Sequence, residues 1–66
     1  MTNNLKVQRA IKNISQEELA KQIGVSRQTI NAMEKSKYVP STVLALKIAR
    51  HFGVAVEDIY TLEDGD

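Results

Sequence analysis

The twenty residues from Ser15 to Glu34 contain two helix start signals with one helix stop between them, and they constrain the fold more than any other stretch. Ser15 precedes a run of apolar residues at helical spacing, and Glu18 completes the pattern of a capping box. Gly24 can adopt the left-handed conformation that ends a helix without a steric penalty. Ser26 then starts a second helix after only one further residue. A connection this short prevents the two helices from lying antiparallel, so the stretch predicts a helix-turn-helix.

The second helix of this motif has one apolar side and one polar side. Ile30 and Met33 are three residues apart and should face the protein core. Arginine presents a forked donor that fits guanine, and a side-chain amide can both donate to and accept from adenine in the major groove. We therefore expect the polar side to read DNA bases through Arg27, Gln28 and Asn31.

Residues 15 to 34 resemble the helix-turn-helix of the Cro/C1-type (XRE) bacterial and phage regulators, and the similarity extends over roughly residues 5 to 60. Arg9 and Glu34 stand where that family has a buried ion pair, and the segment KSKYVPS (35–41) resembles its loop after the recognition helix. The resemblance implies an all-α, compact, five-helix lambda-repressor-like DNA-binding domain over residues 1–62. The acidic residues 63–66 should form a frayed, solvated tail.

Contacts to the DNA backbone are expected on both sides of the recognition helix. Gln16 stands where the family usually touches a phosphate, close to the positive end of a helix. Lys35 and Lys37 lie in the loop that follows the helix assigned to the groove. The same role is assigned to Ser26, Thr29 and Tyr38. The alternative interpretation is that these are ordinary solvated side chains.

The composition limits the function classes. The net charge is only +1, but all nine Lys and Arg residues lie between Lys6 and Arg50 with three acidic residues, whereas five acidic residues follow. The chain has no cysteine and one histidine, and it lacks the side-chain spacing of a catalytic site, a metal site or a phosphate-binding loop, so neither an enzyme nor a cofactor is expected. It also lacks a signal-peptide pattern and a membrane-spanning run, which favours the cytoplasm.

The last third of the chain suggests how two copies could associate. Ser41 should cap a helix that ends near Phe52, before Gly53. This helix is apolar on more than one side, and a last helix around residues 56–60 would add a second apolar patch. Because this region commonly forms a symmetric dimer in the family, we assign the interface to Val43, Leu46, Val54, Val56, Ile59 and Tyr60. Alternatively, residues 60–62 could pair as a strand with residues 2–5.

These features predict a transcriptional regulator that binds double-stranded DNA sequence-specifically, as a homodimeric repressor on a near-palindromic operator. Two recognition helices related by a two-fold axis require half-sites about one helical turn, ~34 Å, apart. The competing hypothesis is an antitoxin or regulatory adaptor whose main partner is another protein. Its interaction surface would be formed by Val43, Leu46, Val56 and Tyr60.

Overall fold

The computed structural model describes all residues from 1 to 66 and contains four α-helices and a two-stranded sheet. In chain order the elements are β1 (Thr2–Asn3), α1 (Leu5–Lys12), α2 (Gln16–Ile23), α3 (Arg27–Glu34), α4 (Thr42–Phe52), a 3-10 turn (Val56–Asp58) and β2 (Tyr60–Thr61). They enclose one core, whose buried residues are Leu5, Leu19, Ala20, Ile23, Ile30, Met33, Ile48, Ala49, Phe52, Ile59 and Tyr60. None of the helices has both the length and the hydropathy that crossing a membrane requires.

Serine caps start three of the four helices where the sequence predicts them. The Ser15 hydroxyl accepts a hydrogen bond from the Glu18 N–H at 3.0 Å, and the Glu18 carboxylate accepts one from the Ser15 N–H at 3.4 Å. Ser26 caps α3 and Ser41 caps α4, each through a 3.1 Å bond. These local hydrogen bonds satisfy backbone donors that no helical partner can reach, which fixes where each helix begins.

Helix α1 begins differently. Asn4 is the residue before the helix, but its side chain makes no capping bond. The Leu5 N–H donates instead to the side-chain oxygen of Asn3, at 3.0 Å. The start of α1 is therefore tied to β1 rather than capped by its own boundary residue.

The predicted fifth helix is wrong. Val56–Asp58 forms a single 3-10 turn, closed by a 3.0 Å hydrogen bond from the Asp58 N–H to the Ala55 carbonyl. The Asp58 carboxylate in turn accepts a 3.0 Å hydrogen bond from the Ala55 N–H. The chain then extends into β2, which pairs antiparallel with β1 in the register Thr2↔Thr61 and Asn3↔Tyr60. Neither Val54 nor Ala55 offers a capping side chain, and a helix of five residues is too short to persist alone. The terminal strand pair left open as an alternative is present, with two residues in each strand.

The acidic tail follows β2 as an exposed turn at the surface of the domain. The amino group of Met1 lies 3.0 Å from a Glu63 carboxylate oxygen and 2.6 Å from an Asp66 carboxylate oxygen. Hydrogen bonds to these carboxylates raise the pKa of the Met1 amino group, and the same contact lowers the pKa of Asp66. The two ends of the chain thus meet on the same side as the small sheet.

Candidate nucleic-acid interface

Helix α3 packs mainly against α2 and turns one side entirely into the core. Ile30 and Met33 are completely buried, whereas Arg27 and Gln28 at the start of the helix are exposed and Asn31 is half-buried. The three polar side chains together line a shallow cleft of about 300 Å³. Helix α3 therefore presents a connected surface of amide and guanidinium groups to solvent, and its buried side fixes which way that surface faces.

The start of α3 is a small network of hydroxyl groups. The Ser26 hydroxyl accepts from the Thr29 N–H, and the two hydroxyl groups share a hydrogen bond of 2.9 Å. Ser26 is exposed and Thr29 is half-buried. Both hydroxyl groups thus lie at the positive end of the helix dipole, where an anion is stabilised.

An ion pair joins α1 to the other end of α3. The Arg9 guanidinium donates to the Glu34 carboxylate through Nε at 2.6 Å and Nη2 at 3.1 Å, while Nη1 donates to the Ile14 carbonyl at 2.9 Å. The side chains of Arg9 and Glu34 are 15% and 6% exposed, respectively. One guanidinium therefore connects α1, the α1–α2 linker and α3 in a site that water barely reaches.

The same carboxylate takes a third partner. The Gln16 amide nitrogen donates to Glu34 Oε1 at 3.1 Å. Burial raises the pKa of Glu34, but the hydrogen bonds from Arg9 and Gln16 outweigh burial and leave this pKa below its ordinary value. The bond to Glu34 uses one of the two amide hydrogens of Gln16, so the other can still be donated to an anion beside the start of α2.

The loop after α3 carries the remaining residues that were assigned to DNA phosphates. Lys35, Lys37 and Tyr38 are all exposed. The loop leaves α3 through Ser36, which has a φ of 57° in the left-handed region. On the opposite edge of α3, Lys21 of α2 and Arg27 line a common depression between the two helices. Sequence reasoning gave Lys21 no role, because the packing of α2 against α3 decides which α2 residue lies beside Arg27.

The residues assigned to a dimer interface divide into two groups. Val43 and Leu46 on α4 are 64% and 56% exposed, and Val54 and Val56 are half-buried. In contrast, Ile59 and Tyr60 are 1% and 8% exposed, because Ile59 at the end of the 3-10 turn and Tyr60 at the start of β2 belong to the core of the single chain. Leu46 and Val56 also line an apolar groove of about 250 Å³ beside Val39 and Pro40.

The helix-turn-helix family profile matches residues 5–59, which include all four helices and the cleft on α3. The chain belongs to the XRE-type helix-turn-helix family. As a member of this family, the protein is a transcriptional regulator with a DNA-binding helix-turn-helix domain. The family fold is a non-enzymatic DNA-binding fold. The predicted membership of the XRE-type helix-turn-helix family is thereby confirmed.

Relatives and solved structures agree with this assignment. An HTH-type transcriptional regulator of Methanocaldococcus jannaschii is 59% identical over 66 residues, which is all of both chains. The HTH-type transcriptional regulator YgzD of Bacillus subtilis is 48% identical over 64 residues, 97% of each chain.

Two solved structures of transcription factors have a similar fold. A solution structure described as the SOS-response transcriptional repressor LexA from Eubacterium rectale has a TM-score of 0.78 at 30% identity, covering 96% of this chain and 76% of that one. A hypothetical transcription factor from Neisseria has a TM-score of 0.76 at 34% identity over 83% of this chain, which spans 62% of the Neisseria chain.

Proposed function

We propose that this regulator acts in the cytoplasm as a homodimeric repressor that binds a near-palindromic operator. The observation that carries the proposal is the cleft formed by Arg27, Gln28 and Asn31 on the solvent side of α3. Polar side chains at the start of a recognition helix are positioned to meet base edges when the helix enters the major groove. No ligand or cofactor is part of the proposal.

Each residue of the cleft has a distinct role in base recognition. Arg27 is the donor for a guanine, because its fork matches the two acceptors that guanine presents in the major groove. Gln28 and Asn31 suit adenine, which presents one donor and one acceptor there. Arg27 and Gln28 are exposed and Asn31 is half-buried, so we expect Arg27 and Gln28 to make the more extensive base contacts.

The phosphate contacts flank these bases on both sides. Ser26 and Thr29 lie at the start of α3, and Gln16 retains one free amide hydrogen at the start of α2. Beyond the other end of α3, Lys35, Lys37 and Tyr38 project from the loop into solvent. Such contacts fix the position of the protein on the duplex but do not carry sequence information.

Dimerisation would use α4 and the groove beside it. Val43 and Leu46 expose large apolar side chains one helical turn apart, and the groove next to Leu46 could receive the same side chain from a second copy. Val54 and Val56 extend the surface, whereas Ile59 and Tyr60 would support it from within. Two recognition helices must then lie about 34 Å apart to reach successive major grooves.

Repression by promoter occupancy is the simplest mode of action for a domain of this size. Bound to an operator that overlaps a promoter, the dimer would exclude RNA polymerase without any catalytic step. The structural similarity to a protein described as a transcriptional repressor supports this choice.

A second candidate function is favoured by the same exposed apolar residues. If Val43 and Leu46 bind a different protein, the chain would act as an antitoxin or regulatory adaptor. The two functions differ in their response to DNA. A DNA reader selects particular duplexes and loses affinity steeply as salt rises, whereas an adaptor does neither.

The test is a selection from a pool of random duplexes, followed by binding measurements on the best duplex and on a scrambled one at several salt concentrations. Arg27→Ala should weaken the selected duplex by ~1–3 kcal/mol and relax selectivity at one base position. Lys37→Ala should weaken both duplexes alike and reduce the dependence on salt. Arg50→Ala, an exposed arginine in the last turn of α4, is the matched control. Failure to enrich any duplex would refute the proposal.

A further inference from the structure

The side chain of Asn3 makes contacts with two helices that are far apart in sequence. Its oxygen accepts from the Leu5 N–H at the start of α1, at 3.0 Å. Its nitrogen donates to the Met33 carbonyl in the last turn of α3, at 2.8 Å, and lies 3.4 Å from the Ser36 hydroxyl. One amide group therefore links the start of α1 to the end of the recognition helix.

The end of α3 that Asn3 contacts has an unusual conformation. The Ser36 N–H donates to the Met33 carbonyl at 3.0 Å, and the Lys37 N–H donates to the Ala32 carbonyl at 2.9 Å. This is the Schellman arrangement, in which the residue at the position of Ser36 is usually glycine because its φ is positive. Ser36 adopts a φ of 57° although it has a side chain. The turn at Ser36 is thus disfavoured by its own backbone conformation, so a contact from outside the loop can stabilise it.

This turn determines where the loop lysines point. Lys35 and Lys37 stand on either side of Ser36, and both are exposed. A change in the backbone at Ser36 would therefore swing Lys37 away from the end of α3. Neither lysine has a salt-bridge partner in the protein that would hold it in place.

We propose that Asn3 is a positioning residue for DNA binding: it fixes the Schellman turn at the end of α3 and thereby orients Lys35 and Lys37 toward the DNA backbone. The inference rests on the proposed function for its consequence, but the turn itself can be tested without DNA. The role requires asparagine because one group must accept from α1 and donate to α3. Aspartate could still accept from Leu5, but it has no hydrogen to donate to the Met33 carbonyl.

The neighbouring Asn4 provides a matched control. Its side-chain nitrogen donates to the Asp58 carbonyl at 2.9 Å, and this bond links the start of α1 to the 3-10 turn. Asn4 is half-buried like Asn3 but makes no hydrogen bond to α3 or to the loop after it. Substitutions at the two positions remove the same chemical group from the same part of the chain.

The first experiment measures amide hydrogen exchange by NMR without DNA, under conditions where circular dichroism shows each variant to be folded. Asn3→Asp should accelerate exchange of the Ser36 and Lys37 amides by about fivefold relative to the Leu19 amide, the factor expected for the loss of one hydrogen bond. Asn4→Asp, which adds the same charge, should leave that ratio unchanged. Equal ratios in the two variants would show that Asn3 does not hold the turn. Asn3→Asp is preferred to Asn3→Ala for this experiment. Aspartate keeps an acceptor for the Leu5 N–H, so the variant should remain folded even if Asn3→Ala does not.

The second experiment measures affinity for the duplex recovered by selection. Asn3→Asp should bind about fivefold more weakly than Asn4→Asp, with a shallower dependence on salt and an unchanged preference among base sequences. In the Lys35→Ala/Lys37→Ala background the same substitution should have a much smaller effect, since its consequence passes through those two lysines. Full additivity of Asn3→Asp and the Lys35→Ala/Lys37→Ala pair would refute the positioning role. If no duplex is selected, the proposed function fails, and the exchange ratios alone decide whether Asn3 fixes the turn.

Discussion

Replacing Arg9 with methionine tests how strongly the buried ion pair holds α1 against α3. Methionine preserves much of the aliphatic stem but removes three hydrogen bonds, two to Glu34 and one to the Ile14 carbonyl. The Glu34 carboxylate, 6% exposed, would retain only the Gln16 amide as a partner. The perturbation therefore leaves a charge in a site from which most water is excluded.

The expected cost is a large part of the stability of the domain. Breaking a fully buried ion pair by removing one partner costs ~3–5 kcal/mol, and a solvated pair is worth ~0–1 kcal/mol. Since the Arg9 side chain is 15% exposed, water can partly enter the vacated space, and we expect about 2–4 kcal/mol. A domain of this length has a free energy of unfolding of roughly 3–10 kcal/mol. The melting temperature should fall by about 10–25 °C.

The destabilisation should also depend on pH, with a definite sign. In the native protein the pKa of Glu34 lies below its ordinary value of 4.5, so the pair contributes stability above that pH and loses it as pH falls through the folded-state pKa. In Arg9→Met, burial is opposed only by the Gln16 hydrogen bond and the charge of Lys6, so the pKa of Glu34 should rise. Protonation then removes the isolated charge, so the difference between variant and native protein should shrink from pH 7 to pH 4.

Urea unfolding followed by circular dichroism at pH 7 and pH 4 measures both effects. Lys12→Met, at an exposed position three residues along the same helix, controls for the loss of a positive charge. The double variant Arg9→Met/Glu34→Met should be more stable than Arg9→Met alone, because it contains no unpaired charge. A loss of less than 1 kcal/mol that is equal at the two pH values would mean that the pair is effectively solvated.

Three further substitutions test the packing, the caps and the dimer surface. Ala20→Leu should overpack the buried site on α2 and lower the free energy of unfolding by ~1–3 kcal/mol, which thermal melting would detect. Ala10→Leu, at an exposed position, should leave the stability unchanged. Ser41→Ala should destabilise the domain by ~0.5–2 kcal/mol in urea unfolding because the Leu44 N–H loses its acceptor, whereas Ser41→Thr should be nearly neutral. Leu46→Glu should convert the proposed dimer to a monomer in sedimentation experiments. Its melting temperature should equal that of the Lys47→Glu control. A dimer that persists in Leu46→Glu would place the interface elsewhere.

The helix-turn-helix was predictable because its determinants are local. The side chains of Ser15 and Glu18 each accept a hydrogen bond from the other's backbone N–H within one turn, and Gly24 ends α2 with a φ of 85°. Ser26 and Ser41 act in the same way at the next two helix starts. The buried side of α3 follows from helical periodicity, which also fixes that Arg27 and Gln28 are exposed.

The sequence by itself therefore determined α2, α3, α4 and the polar surface of α3, since each depends on side chains only a few residues apart. Only the tertiary structure decided that β2 replaces a fifth helix, because its partner β1 lies at the other end of the chain. The same pairing joins buried Tyr60 to Asn3, whose side chain reaches the end of α3. Packing likewise places Gln16 against Glu34. Such contacts form only after the helices have assembled, so no pattern within one segment specifies them.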